Sequence, residues 1–182
     1  MTDLIKVGVS FPVGGSARST CVRLSDAVAA EVPVQVRLGA AGNSEPHVTV
    51  AMGLLPSSRV AAVEEATRSL LTELGGPFDM TFGPAYRETE TGRYILLDVV
   101  LPDRAANWRS LIQSRLVDIY AEPSRTSATP HLTISCTEQS GAQLDGIINT
   151  APPIPPATVS TIDIARSGPK GIKLEVLKSI HL

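Results

Sequence analysis

The chain has 182 residues, of which 43% are hydrophobic, 19% charged and 4% aromatic. Against 18 Asp and Glu stand 16 Lys and Arg, a formal charge of −2, which excludes a basic platform for long nucleic acid, whose affinity needs many phosphate contacts. No apolar run approaches the roughly 20 residues of a membrane span, and the N-terminal MTDLIKVGVSF lacks the charged, apolar and small-residue order of a signal peptide.

Alternation of Ile5, Val7, Val9 and Phe11 predicts a strand over 4–11. Gly14-Gly15 predicts a turn and Ser16 a helix cap. Ala17, Cys21, Leu24 and Val28 then recur at helical spacing over 17–30, until Pro33. VQVRL at 34–38 alternates again, and the loop GAAGNSEP leads into a short strand, HVTVAMG. Ser57 and Ser58 predict caps for a helix with the stripe Val60, Val63, Thr67, Leu70 and Leu74, stopped by Gly75-Gly76. Strands follow over 78–82 and 93–101, separated by the polar loop GPAYRETETG. A helix over 104–119 turns Trp108, Ile112, Leu116 and Ile119 inward. AEPSRTSATP predicts a loop, HLTISC a strand, 138–149 a short helix and APPIPP a stiff connector. Strands over 158–165 and 171–180, joined at SGPKG, predict a closing hairpin. Paired strands between helices point to an α+β fold with antiparallel sheet. No GxGxxG follows a strand and no Walker loop is present. Cys21 and Cys136 are too few for a disulfide framework or zinc knuckle, so both are expected as reduced, buried thiols in a cytoplasmic protein.

Two of the three histidines stand in matching contexts, Pro46-His47-Val48-Thr49-Val50 and Pro130-His131-Leu132-Thr133-Ile134. The copies lie about half a chain length apart, which predicts one bilobal domain over 1–182 with two pseudo-repeat lobes, each carrying a His-x-Thr motif. Period-two geometry turns Val48, Val50 and Met52 one way and His47, Thr49 and Ala51 the other. It likewise turns Leu132, Ile134 and Cys136 one way and His131, Thr133 and Ser135 the other. A pseudo-twofold between the lobes would offer a cleft two imidazoles and two hydroxyls. Imidazole titrates near neutrality, so one ring can take a proton while the other gives one. The hydroxyls suit the non-bridging oxygens of a phosphoryl group. A lone His-x-Thr on a strand is ordinarily structural. Two copies in one context, using two of three histidines, favour chemistry.

These motifs, PHVTV and PHLTI, resemble those of the two-histidine phosphoesterase superfamily, which includes the 2′-5′ RNA ligase-like cyclic phosphodiesterases. The element order is similar along nearly the whole chain. The resemblance implies a bilobal α+β fold around a central cleft and metal-independent action on cyclic or 2′-5′ linked nucleotide phosphodiesters. By match to the motif it implies a catalytic quartet of His47, Thr49, His131 and Thr133.

Tyr86 and Arg87, in the polar loop before strand 93–101, are candidate substrate-binding residues, one to stack on a base and one to meet a phosphate. Arg37, Arg93 and the group Glu64, Glu65, Arg68 and Ser69 read as solvated faces, and His181 as surface or packing. Cys136 reads as core, and Ser135 lacks the glycine elbow of a nucleophile. Three functions follow: a phosphodiesterase for 2′,3′-cyclic phosphates or RNA ends, a hydrolase of 2′-5′ oligonucleotides or cyclic dinucleotides, and a non-catalytic nucleotide-binding module. The last has no need of an acid–base pair. A metal site would be incomplete, since neither motif carries a carboxylate. The expected partner is a small nucleotide or RNA end, bound by a monomer with no cofactor, metal or membrane.

Overall fold

The computed structural model describes residues 3–124 and 126–182. Arg125, in the predicted loop before the second motif, lies outside them. The elements in chain order are β1 (Leu4–Pro12), α1 (Gly15–Glu31), β2 (His47–Pro56), a 3-10 turn (Ser57–Arg59), α2 (Val60–Ser69), α3 (Leu71–Leu74), β3 (Phe78–Arg87) and β4 (Tyr94–Val100). There follow α4 (Asp103–Val117), β5 (Glu122–Pro123), β6 (His131–Cys136), α5 (Ala142–Asn149), β7 (Ala157–Val159), β8 (Thr161–Ser167), a second 3-10 turn (Pro169–Gly171) and β9 (Lys173–His181).

The strands pair antiparallel, as the α+β reading expects, and form one curled sheet in the order β7-β3-β4-β6-β2-β1-β8-β9, with β5 also on β2. That order reads alike outward from the β6–β2 seam. β4 and β1 flank it, β3 and β8 lie beyond, and β7 and β9 form the edges. The seam itself is joined by one register pair, Val48 with Leu132. Cohesion therefore comes from elsewhere. Helix α1 connects β1 to β2 but packs on β6 and α5, while α4 connects β4 to β6 by way of β5 and packs on β2. Phe11 of β1 meets Phe78 of β3 edge-on at 5.1 Å and Trp108 of α4 at 5.7 Å. Three rings, all buried, thus pin elements of both halves together, and aromatic side chains carry the largest apolar areas a core can bury.

Several local expectations change. Ser16 caps nothing: the residue before α1 is Gly14, no side chain bonds the helix start, and Gly15 takes φ +59, a turn glycine makes without steric cost. Ser57 and Ser58 form the 3-10 turn ahead of α2 and cap neither helix. Residues 34–38 make no ladder, only isolated bridges from Val36 to Cys136 and from Leu38 to Ser44. The reason is local competition: Asn43 accepts from the Arg37 N–H at 3.0 Å and donates to the Gln35 carbonyl at 2.9 Å, taking up backbone groups a ladder would need, while the Gln35 N–H donates to the Cys136 carbonyl of β6 at 2.7 Å. The stripe from Val60 to Leu74 breaks at Leu70, and Gly75 stops it in the left-handed region at φ 72. β3 runs on to Arg87, with a register shift between Phe82 and Ala85 that accommodates Gly83-Pro84. No helix among the described residues is long and apolar enough to cross a membrane.

Candidate active site

Each motif opens a strand. Pro46 and Pro130 have no N–H to give a ladder, but their carbonyls accept from Val13 and Val99, both at 3.0 Å, and seat the following histidines at the ends of β1 and β4. His47 pairs in register with Pro12, and His131 with Asp98. The seam pair Val48–Leu132 then decides the rest. Continued one residue either way, an antiparallel register sets His47 opposite Thr133 and Thr49 opposite His131. Val48 and Leu132 are fully buried, so the four neighbours share the other face. All four line one cleft of about 740 Å³.

Both rings are held alike. His47 Nδ1 lies 2.7 Å from the Glu45 carbonyl, and His131 Nδ1 lies 3.3 Å from that of Thr129. A carbonyl can only accept, so Nδ1 carries the proton in each ring. Burial pushes the His47 pKa down to about 4; the Glu45 carbonyl opposes this, the Lys173 charge adds to it, and Gly171 and Asp163 oppose it. In the free protein burial thus favours the uncharged form of the His47 ring.

Strict alternation fails just after each threonine, and in the same way. The β1–β2 register shifts between Val9 and Ser10, passing over Val50; the β4–β6 register shifts between Ile95 and Leu96, passing over Ile134. These are equivalent bulges. They correct three expected positions: Ala51 and Ser135 leave the cleft face and are buried, while Met52 turns into the cleft. Ser135 Oγ donates to the Val36 carbonyl at 2.9 Å. Cys136 is buried, and both cysteines are free thiols. Gln113 of α4 donates to the Val50 carbonyl at 2.7 Å and to Thr126 at 3.2 Å, tying the first bulge to the loop before β6.

Tyr86 lines the cleft, from β3 rather than from a loop, and its hydroxyl donates to Asp98 Oδ1 at 2.8 Å. Burial, with the Asp98 hydrogen bond next, pushes its pKa up to about 12. Arg87 is also on the strand but does not line the cleft. Its Nη1 donates to the carbonyls of Gly92 and Gln139, at 2.9 and 3.0 Å. It props the β3–β4 connection, as its place on the opposite face of the strand from Tyr86 requires.

Among the cleft residues that sequence reasoning missed, four bear most directly on the site. Asp98 is the register partner of His131, and Tyr94 lies on the same face of β4. Arg109, buried in α4, donates to the Ser127 and Ala128 carbonyls and so supports the loop that delivers His131. Lys170 comes from the turn between β8 and β9. Strand alternation could have found the first two once the β4–β6 pairing was known; the others are brought in by tertiary folding. Among the described residues no three His, Cys, Asp or Glu side chains converge as metal ligands would.

Comparison with known proteins gives a family match: the model of the 2′-5′ RNA ligase superfamily fits residues 19–169. No curated protein matches in sequence. In fold the chain is similar to the apo crystal structure of E. coli LigT, at 18% identity over 99% of this chain and 98% of that one, TM-score 0.69. E. coli LigT complexed with 3′-AMP is similar at 17% identity over 99% of each chain, TM-score 0.70. The MHV ns2 PDE domain is similar at 14% identity over 96% of this chain and 99% of that one, TM-score 0.53.

Proposed function

Because the chain belongs to the 2′-5′ RNA ligase superfamily, with a phosphoesterase among the structures it resembles, we propose that it is a metal-independent phosphodiesterase acting on 2′,3′-cyclic phosphates or related small nucleotide and RNA-end phosphodiesters. One observation carries the reading: two imidazoles and two hydroxyls from facing strands share one cleft, in the register of the Val48–Leu132 pair. A water oxygen attacks phosphorus, and the bond from phosphorus to one ribose oxygen breaks. One Nε2 takes the proton of the water and the other gives a proton to the departing oxygen. Thr49 and Thr133 donate hydrogen bonds to the non-bridging oxygens as charge builds. One water is consumed, and a cyclic phosphate leaves as a monophosphate. Acid, base and donors are all protein groups, so no metal enters a step.

The cleft volume of about 740 Å³ suits a nucleotide-sized ligand, and the 3′-AMP complex of LigT supports a nucleotide as its occupant. Tyr86, its hydroxyl anchored on Asp98, offers a ring for the base. Free buried thiols agree with a reducing, cytoplasmic setting, and the chain is proposed to act as a monomer. The test is a panel of 2′,3′-cyclic mononucleotides, 2′-5′ oligoadenylates and cyclic dinucleotides incubated in EDTA, with products identified. Monophosphate release from the cyclic mononucleotides supports the proposal. Preferential cleavage of either other class moves the substrate assignment. Tight nucleotide binding with no turnover would make the protein a binding module, and activity lost in EDTA and restored by zinc or manganese would end the metal-free mechanism.

A further inference from the structure

The carbonyl that holds the His47 ring belongs to Glu45, and Glu45 is held from outside the motif. Its carboxylate accepts from Arg18 Nε and Nη2 of α1, at 2.8 and 3.0 Å. Its carbonyl accepts from His47 Nδ1 at 2.7 Å and from the Ser44 hydroxyl at 3.4 Å. Ser44 is buried, only 5% exposed, and its backbone is already committed. The Ser44 N–H donates to the Arg37 carbonyl at 3.2 Å, and the Ser44 carbonyl accepts from the Gly39 N–H at 2.9 Å. A buried hydroxyl needs partners of its own, and it can give one hydrogen while accepting another. Ser44 Oγ does both: it gives to Glu45 and accepts from the Lys173 N–H at 3.1 Å.

Lys173 opens β9 and is itself fixed. Its ammonium forms a buried ion pair with Asp163 of β8, and Asp163 Oδ1 accepts from Ser179 Oγ at 2.6 Å. Breaking such a pair would leave a buried charge unanswered, so the pair stays closed. The turn before it is braced by the Gly168 N–H, which donates to the Ile172 carbonyl at 2.8 Å. The β8–β9 hairpin is therefore a firm support, and it meets His47 twice. The Gly171 carbonyl comes against the ring directly. The Lys173 N–H reaches it through Ser44 and the Glu45 carbonyl. His131 has a different support: its carbonyl partner, Thr129, is more distant at 3.3 Å, and Arg109 of α4 holds the neighbouring carbonyls of Ser127 and Ala128.

A neutral imidazole has one N–H to give, and the His47 ring has two carbonyls against it, those of Glu45 and Gly171. Which of them takes the proton decides which nitrogen is left as the acceptor. We propose that Ser44 is a positioning residue for His47: its hydroxyl ties the Glu45 carbonyl to the β8–β9 hairpin, so that the ring keeps its proton on Nδ1 and one orientation in the cleft. The residue stands outside both His-x-Thr motifs and acts on the first histidine alone. A proton-transfer group works only in the right tautomer and direction, which supporting hydrogen bonds of this kind secure. The kinetic part of the proposal rests on the reading of the cleft as a phosphodiesterase site.

The experiment compares wild type, Ser44→Ala and Ser44→Cys by ring-nitrogen NMR of the free protein at about pH 8, above the ordinary imidazole range, and by steady-state kinetics on the phosphodiester that the substrate panel identifies. Wild-type His47 should show a neutral ring protonated on Nδ1. Ser44→Ala should admit the Nε2–H tautomer, read as ring-nitrogen shifts of His47 that converge while those of His131 stay in place. Its kcat should fall about tenfold with KM within about twofold, because a turned ring misplaces a proton and not the substrate. Ser44→Cys, whose thiol is only a weak donor and acceptor, should fall between the two, and it carries the test if the alanine variant does not fold. Unmoved His47 signals, an unchanged kcat, or His131 signals that move as far as those of His47 overturn the proposal, the last by showing a general loosening. If the tautomer changes as stated and wild type turns over no phosphodiester of the panel, the phosphodiesterase reading fails and the role of Ser44 in holding the ring stands; turnover that the Ser44 variants match has the reverse meaning.

Discussion

Thr49 and Thr133 are the side chains on which a fold-neutral change says most about chemistry. Each is half-buried and lines the cleft beside the two histidines. Valine keeps the β-branching the strand favours and removes only the hydroxyl. Thr49→Val and Thr133→Val should each lower kcat by about 10²–10³ with an unchanged circular dichroism spectrum, the cost of losing one donor to a developing oxyanion. Unchanged kcat in both variants would leave these hydroxyls to the strand alone. His47 makes a separate prediction. Its pKa is about 4 in the folded free protein, against about 6.5 in an unfolded chain. Between those values the unfolded ring is charged and the folded ring is not, so the stability that His47 contributes is complete above pH ~6.5 and is lost as pH falls toward 4. An NMR titration of the ring should show its midpoint near 4, and wild type should lose more Tm than His47→Gln across that window. A midpoint above 6 would contradict the burial that holds the ring neutral.

At the scale of the element, β2 is a strand with something pressed onto its backbone. A Cβ built on Gly53 would stand 2.4 Å from the Tyr120 ring, and Tyr120 is itself buried. Gly53→Ala should therefore cost about 1–3 kcal/mol, as overpacking does, read as a lowered denaturant midpoint; a neutral effect would mean the Tyr120 ring can swing aside. Elements of this kind mark where the sequence was and was not legible. The strand starts at His47 and His131 were readable, because proline, alternation and a repeated motif agree there. So was the shared face of each His and Thr. The bulges at Val50 and Ile134 were not, since a bulge keeps the residues and changes only their count against a partner strand. That is why Met52 replaces Ala51 in the cleft and Ser135 is buried. Residues 34–38 alternate as a strand does, yet Asn43 takes the Arg37 N–H and the Gln35 carbonyl that a ladder would need. Tyr86 reached the cleft and Arg87 did not because they are neighbours on a strand, where a loop had been expected.

For the whole molecule, the order of the sheet and the exchange of α1 and α4 between its halves make the seam the centre of the structure. Each half contributes one imidazole and one hydroxyl, and one register pair aligns them. The two lysines of the cleft, Lys6 and Lys170, come from β1 and from the turn before β9, in the half that carries His47, so the matching motifs have unlike surroundings. Initial rates of wild type, His47→Ala and His131→Ala should be compared on a phosphodiester with a ribose leaving oxygen and on its nitrophenyl counterpart. On the ribose substrate each variant should lose about 10²–10⁴-fold, the usual contribution of a positioned acid or base. Nitrophenolate departs without a proton, so it should restore the rate of the variant lacking the acid and leave the other slow. Near-wild-type rates on the ribose substrate in both variants would contradict the paired-histidine account.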